Sequence, residues 1–162
     1  MNLQLTGACG SGKTWVFTQV LSKDSTWHKA GLIRYRKQGN LIITGIYDGN
    51  MFQGSDRLSM AVAQDFKGFS KLVADRGYIA LFEGDRWMNK KFKEAFDPFV
   101  IRITDNGYTG RKKRDSQQTQ EHIKRIATRV ANYGSDIDVP DSTAALALIQ
   151  QKIHEATTAT AR

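Results

Sequence analysis

The sequence is short of several things. It has one cysteine, Cys9, in 162 residues, which excludes an intrachain disulfide and any zinc site built from cysteines. It has no apolar run approaching the roughly 20 residues that cross a bilayer. Its first residues lack a basic stretch followed by an apolar core, so no signal peptide is expected. Histidines are few and scattered (His28, His122 and His154), and none is assigned a metal or catalytic role. Acids are scarce beside bases: 16 Asp and Glu against 24 Lys and Arg leave a net charge of +8. A reducing cytoplasm is the expected compartment.

What is present is a globular balance. Hydrophobic residues make up 40% and charged residues 25%, far from the composition of a disordered chain. The length suits one domain with a full core; it is expected over 1–156, with 157–162 as a frayed tail. The positive excess favours a polyanionic partner through long-range attraction and counterion release. It is also concentrated. Between Gly107 and Arg129 seven Lys or Arg stand against two acids, which marks an anion-handling surface.

Patterning orders the elements. "NLQLTG" reads as a strand running into a glycine loop, and "KTWVFTQVLSK" as a helix with Val16, Val20 and Leu21 inward. "GLIRYRKQ" and "NLIITGIYD" flank Gly39-Asn40 and predict an antiparallel hairpin. Leu58, Val62, Phe66, Phe69 and Val73 recur at helical spacing between Arg57 and Ala74. "YIALF" suits a buried parallel strand; a short helix at "NKKFKEAF" and a strand at "FVIRIT" follow. Residues 105–114 read as an open loop, and "SQQTQEHIKRIATRVANY" as a helix with Ile123, Ile126, Ala127 and Val130 on one face. A last helix follows Pro140, capped by Asp141 or Ser142. Strands alternating with helices predict an α/β fold, a mainly parallel sheet flanked by helices on both faces. Ligands of such sheets bind beyond the carboxyl ends of the strands.

Residues 7–14, "GACGSGKT", match G-x-x-x-x-G-K-[ST], the Walker A pattern. Gly7, Gly10 and Gly12 let the backbone close around a phosphate, with Ala8, Cys9 and Ser11 completing the cradle. The following helix adds its positive end. Lys13 reaches the β and γ phosphates and the Thr14 hydroxyl ligates Mg²⁺. The pattern, after a strand and opening a helix, predicts a P-loop domain that binds ATP with Mg²⁺. Cys9 is a small filler at a variable position, close enough to the helix start that its alkylation is expected to inactivate and ATP to protect.

Phosphoryl transfer to a hydroxyl also needs an acid for the acceptor, a metal-organising acid, and positive charge around the moving group. "LFEGDRW" ends an apolar strand with Glu83 and Asp85, either of which suits the metal. Arg86 beside them suits a substrate phosphate. "YDGNMFQGSDRLSM" offers Asp48 at a strand end as the base, with Asp56 and Arg57 opening the next helix and Arg57 meeting an anionic substrate. Phe52 and Trp87 flank these groups and suit either base stacking or the core. "GYTGRKKRD" predicts a cationic lid closing over triphosphate, with Arg111 and Arg114 foremost for their fork geometry and Lys112 and Lys113 assisting.

Together these features resemble the P-loop nucleoside and nucleotide kinases over most of the chain. "FEGDRW" is similar to the acidic-Arg segment of thymidylate and deoxynucleoside kinases. "YDGNMFQGSDRLSM", with the short length, resembles bacteriophage kinases of 5-hydroxymethyluracil in DNA. That resemblance implies ATP-dependent phosphorylation of a 5-hydroxymethyl group on a base already in DNA, a step of thymidine hypermodification that shields viral DNA from host restriction. It implies Lys13 and Thr14 in their Walker A roles, Asp48 activating the hydroxyl, Asp85 or Glu83 organising the metal, and the host cytoplasm as the compartment. A target base inside a duplex has to be flipped out to react. Two other readings stay open: a kinase of a free nucleoside, nucleoside monophosphate or small metabolite, and a P-loop ATPase or switch protein without kinase activity.

Overall fold

A computed structural model describes residues 1–50, 53–113 and 117–160. Its seven strands are β1 Asn2–Gly7, β2 Thr26–Ala30, β3 Ile33–Gln38, β4 Leu41–Thr44, β5 Ile79–Glu83, β6 Phe99–Ile103 and β7 Ile137–Val139. They form one sheet in the order β2-β3-β4-β5-β1-β6-β7. From β4 to β7 every neighbouring pair is parallel, while β2 and β3 add to the β4 edge antiparallel. The fold is thus α/β with a mostly parallel sheet, as the alternation of elements predicts, and the hairpin around Gly39-Asn40 is present.

Both faces are covered, which is why β4 and β5 are buried along their whole length. Alternation divides their side chains. Leu41, Ile43, Ile79 and Leu81 join Leu3 and Leu5 of β1 under α1 (Lys13–Val20) and α6 (Ser142–Thr160). Ile42, Ala80 and Phe82 face the other way, under α2 (Phe66–Asp75) and α3 (Lys90–Phe96). That second layer is aromatic: Phe82 meets Phe92 and Phe96 at ring-centroid distances of 4.8 and 4.9 Å. Truncating such a ring to Ala costs about 3–5 kcal/mol. On the same face α5 (Gln120–Tyr133) is pinned to β1, where the Tyr133 hydroxyl donates to Gln4 Oε1 at 2.8 Å. Asp141 caps α6, accepting from the Ala144 N–H at 2.8 Å.

The elements depart from expectation in four places. Strands β2 and β7 carry no sequence signal, because β2 is exposed along all but its last residue and β7 is a three-residue edge. The helix expected from Arg57 is broken into 3-10 turns at Ser55–Arg57 and Val62–Asp65 before α2 begins. Its five apolar residues are all buried, but the Ser59 hydroxyl accepts from the Ala61 N–H, a local bond that competes with helix. The open loop at 105–114 contains α4 (Tyr108–Lys113), started by the Asp105 and Asn106 side chains, which accept from the N–H groups of Gly107 and Tyr108. Finally, α6 runs through Thr160 instead of fraying at 157; the hydroxyls of Thr157 and Thr158 donate back to the Ile153 and His154 carbonyls and use their hydrogen-bonding capacity within the helix.

Candidate functional site

A cleft of about 500 Å³ opens at the carboxyl ends of β1 and β5, where ligands of such sheets bind. Its floor is the glycine loop between β1 and α1. Gly12 precedes α1 in the left-handed region (φ 94°), and no side chain caps the first turn and no acid lies in it. The N–H groups opening this helix therefore lack a side-chain partner, which makes an anion the complementary ligand. Lys13 folds back over the loop, its Nζ donating to the Gly7 and Ala8 carbonyls at 2.9 Å each. The Ser11 N–H closes a turn onto the Ala8 carbonyl at 3.1 Å. The Ser11 hydroxyl is buried with no hydrogen-bond partner among the described residues.

The opposite wall is acidic. Glu83, at the end of β5, is buried; its Oε1 accepts from the Tyr47 hydroxyl at 3.0 Å and from Thr14 Oγ1 at 3.4 Å. Burial pushes the Glu83 carboxyl up to about 7. The Lys13 charge opposes that rise, Asp56 adds to it, and hydrogen bonds from Tyr47 and the Ser55 backbone oppose it. Burial, with the neighbouring carboxylate, also drives the Tyr47 phenol well above its ordinary value, so it remains a donor. The Ser55 hydroxyl donates to the Glu83 carbonyl. Gly84 permits this approach: at φ 91° a Cβ there would lie 2.6 Å from Ser55 Oγ. Asp56, on the same 3-10 turn, and Asp85 both line the cleft.

A third wall comes from α4. Gly107 and Gly110 lie so close to Cys9 and Gly10 that a Cβ at either would strike the glycine-loop backbone. Arg111 spans the contact, its Nη1 donating to the Cys9 carbonyl at 2.6 Å and to the Asn106 carbonyl at 2.7 Å. Lys113 lines the cleft from this element. Cys9 is half-buried against Met88 and Ile126 at the cleft's edge, a position that suits a filler and leaves it next to any bound ligand.

Of the residues singled out by sequence, Gly7, Cys9, Gly10, Gly12, Lys13, Thr14, Glu83 and Asp85 meet at this cleft. Ala8 and Ser11 hold the loop's shape. Others sit elsewhere. Trp87 is fully buried among Phe66, Phe82 and Phe92, so it is core and not a stacking platform; the 3-10 turn Asp85–Trp87 swings it inward. Arg86 is committed to the backbone, donating to the carbonyls of Leu58 at 3.2 Å and Asp56 at 3.1 Å. It braces the Asp56 turn and does not line the cleft. Asp48 and Arg57 are ion-paired at 2.5 Å and neither lines the cleft. Arg57 holds the Asp48 carboxyl below the usual carboxylate range, which makes it a weak proton acceptor. Arg57 is likewise occupied. Asp85 pairs with Arg129 at 3.4 Å. Phe52 and Arg114 lie outside the described residues.

Read from sequence, Trp15 has no role, Asp56 stands only at a helix start and His122 is unassigned; all three line the cleft. Trp15 is 44% exposed on α1 and faces the cleft. Asp56 faces it where Asp48 was expected. The helix pattern that turns Val16 inward already carries its neighbour Trp15 outward, so its position was readable.

Among the described residues no three His, Cys, Asp or Glu side chains converge as a metal cage. Magnesium bound beside phosphates keeps several waters and needs only one or two protein oxygens. Thr14 Oγ1 and Glu83 Oε1, 3.4 Å apart beside Lys13, supply such a pair, so the residues fit that ion. Compared with protein-family models, curated proteins and solved structures, the chain matches none.

Proposed function

We propose that this chain is a P-loop kinase that transfers the terminal phosphoryl group of ATP to the 5-hydroxymethyl group of hydroxymethyluracil in DNA, a step of hypermodification that shields viral DNA from restriction. The observation that carries the reading is that Lys13, Thr14 and Glu83 of the two motif segments, 69 residues apart between Thr14 and Glu83, share one cleft at an uncapped helix start.

In this reading the glycine-loop N–H groups and Lys13 hold the β and γ phosphates. Magnesium, beside Thr14 and Glu83, neutralises phosphate charge when bound. Asp56 takes the proton of the acceptor hydroxyl, whose oxygen bonds to the γ phosphorus as the bond to the β–γ bridging oxygen breaks and ADP leaves. Lys113, which lines the cleft, brings positive charge to the transferring group, and Arg111 joins it by releasing the Cys9 and Asn106 carbonyls. Trp15 is the stacking platform for the acceptor base. The net charge of +8 favours a polymer over a free nucleotide, since many phosphates reward a charge excess that one does not.

Incubation with γ-labelled ATP and a panel of plain DNA, hydroxymethyluracil DNA and free nucleosides tests it. Label on the modified base of the polymer is the expected product. Label on a monomer would replace the reading with a nucleoside kinase, and release of phosphate without an acceptor would replace it with an ATPase.

A further inference from the structure

The hairpin at the far edge of the sheet has a face with no part in the cleft. Cross-strand register sets Trp27 opposite Arg36 and Lys29 opposite Arg34, so these four side chains share one face. It is the face on which α1 packs, because Arg36 is in turn opposite Ile43 of the α1-side core. No acid occurs between Thr26 and Tyr47. Among the described residues none of Lys29, Arg34 and Arg36 is in an ion pair.

One feature of this face is unfavourable for the isolated protein, and a second goes beyond what a hairpin edge requires. Lys29 and Arg34 are like charges directly opposed, which destabilises a strand pair. Two guanidiniums also converge on one indole, Arg36 at 4.7 Å and Arg34 at 5.3 Å from the ring centroid, and Trp27 is still 39% exposed. Charged side chains protect an edge strand from pairing, but that protection calls for no exposed tryptophan. Arg36 is fixed in place, its Nε donating to Ser25 Oγ at 3.0 Å and its Nη2 to the Ser25 carbonyl at 2.8 Å. An exposed indole flanked by fixed and free cations is complementary to a ligand that alternates flat rings with negative charges, which is an unpaired nucleic-acid strand.

We propose that the Trp27–Lys29–Arg34–Arg36 face of the β2–β3 hairpin docks single-stranded nucleic acid, one base stacking on Trp27 and adjacent phosphates meeting Arg34 and Lys29. The Lys29–Arg34 end of the hairpin lies at the carboxyl end of β4, where the Gly45 N–H donates to the Arg34 carbonyl at 2.8 Å. That is the end of the sheet at which the cleft opens, so a docked strand leads towards it. The proposal deepens the DNA reading by naming the strand state and its surface, and its test reads binding without turnover.

Anisotropy of a labelled short oligothymidylate, titrated with the full chain without nucleotide over a series of salt concentrations, decides it. Trp27→Ala is expected to weaken binding about tenfold with the salt slope unchanged, and Trp27→Phe to recover most of the loss. Lys29→Ala with Arg34→Ala is expected to lower the slope of log K against log salt by about 1.4, that of two phosphate contacts. A duplex of the same length is expected to bind more weakly. Wild-type affinity in both the Trp27→Ala and the double variant, or equal affinity for duplex, overturns the proposal. If Trp27→Ala does not fold, as judged by circular dichroism, the double variant on exposed side chains decides alone. Failure of phosphoryl transfer with these binding results intact would remove the kinase reading and leave this one.

Discussion

The two main walls of the cleft are held together in opposite ways. On the glycine-loop wall, cationic side chains grip backbone carbonyls: Lys13 on Gly7 and Ala8, Arg111 on Cys9. Both side chains are only partly buried, and phosphate oxygens are better partners for them than carbonyls are. On the acid wall the bonds are buried. Tyr47 donates to Glu83, Ser55 to the Glu83 carbonyl and Thr44 to the Leu81 carbonyl at 2.9 Å. Breaking one of these leaves a buried polar group unpaired, at about 1–3 kcal/mol. Bonds of the first kind can be exchanged for a ligand at less cost than bonds of the second. A triphosphate arriving at the glycine-loop wall would take over Lys13 while the buried hydrogen bonds of the acid wall stay in place.

Substitutions on the two walls should therefore separate ligand effects from stability effects. The largest expected effect is on the glycine-loop wall. Lys13→Ala should lower phosphoryl transfer on the order of 10²–10³-fold, the cost of one charge-stabilising donor. Its melting temperature should change little, because the lost bonds are partly exposed. A large drop in melting temperature would mean that Lys13 is a structural strut. Next, Asp56→Asn should lower transfer by about 10²-fold, the usual worth of a positioned proton acceptor, with nucleotide binding retained. Asp48→Asn should leave transfer within a few-fold. The reverse order in kinetic assays would return the proton-accepting role to Asp48.

The acid wall is tested by pH. Glu83 titrates near 4.5 when unfolded and at about 7 when folded, so between those values the folded chain binds the extra proton. Its contribution to stability is greatest on the acid side and is lost as pH rises from about 4.5 to about 7. Melting temperature of the wild type relative to Glu83→Gln should therefore fall across that window; a difference independent of pH would contradict the buried, raised carboxyl. The smallest effect belongs to the contact between walls. Arg111→Ala should weaken nucleotide binding several-fold, since its guanidinium spans the glycine loop and α4 and exchanges partners at little cost. Calorimetry with the nucleotide reads this, and unchanged affinity would confine Arg111 to a surface role.

What was legible in the sequence follows the same division. The glycine loop is local: Gly7 to Thr14 are contiguous, and their spacing alone brings backbone and Lys13 together. β5 and Glu83 were readable because a strand covered on both faces is apolar throughout. The acceptor side is not local. Asp48 and Asp56 are eight residues apart in one polar segment, and only the tertiary path, with Arg86 fastening the Asp56 turn and Arg57 taking Asp48, tells them apart. Trp87 follows an acid at a strand end exactly as an exposed platform would. A single 3-10 turn reverses it into the core, and periodicity does not register a turn of three residues. Strand β2 was invisible because its exposed side chains carry no alternation, although its charges and Trp27 give the hairpin its most distinctive surface.

In the proposed function Lys13 exchanges the carbonyls of the glycine loop for a triphosphate. Isothermal titration calorimetry of magnesium ATP into the wild type and Lys13→Ala tests it most directly. Saturable binding at one site per chain is expected, weakened at least tenfold by Lys13→Ala, with magnesium AMP binding far more weakly than ATP. No heat of binding to folded wild-type protein, or equal affinity for AMP and ATP, would contradict it.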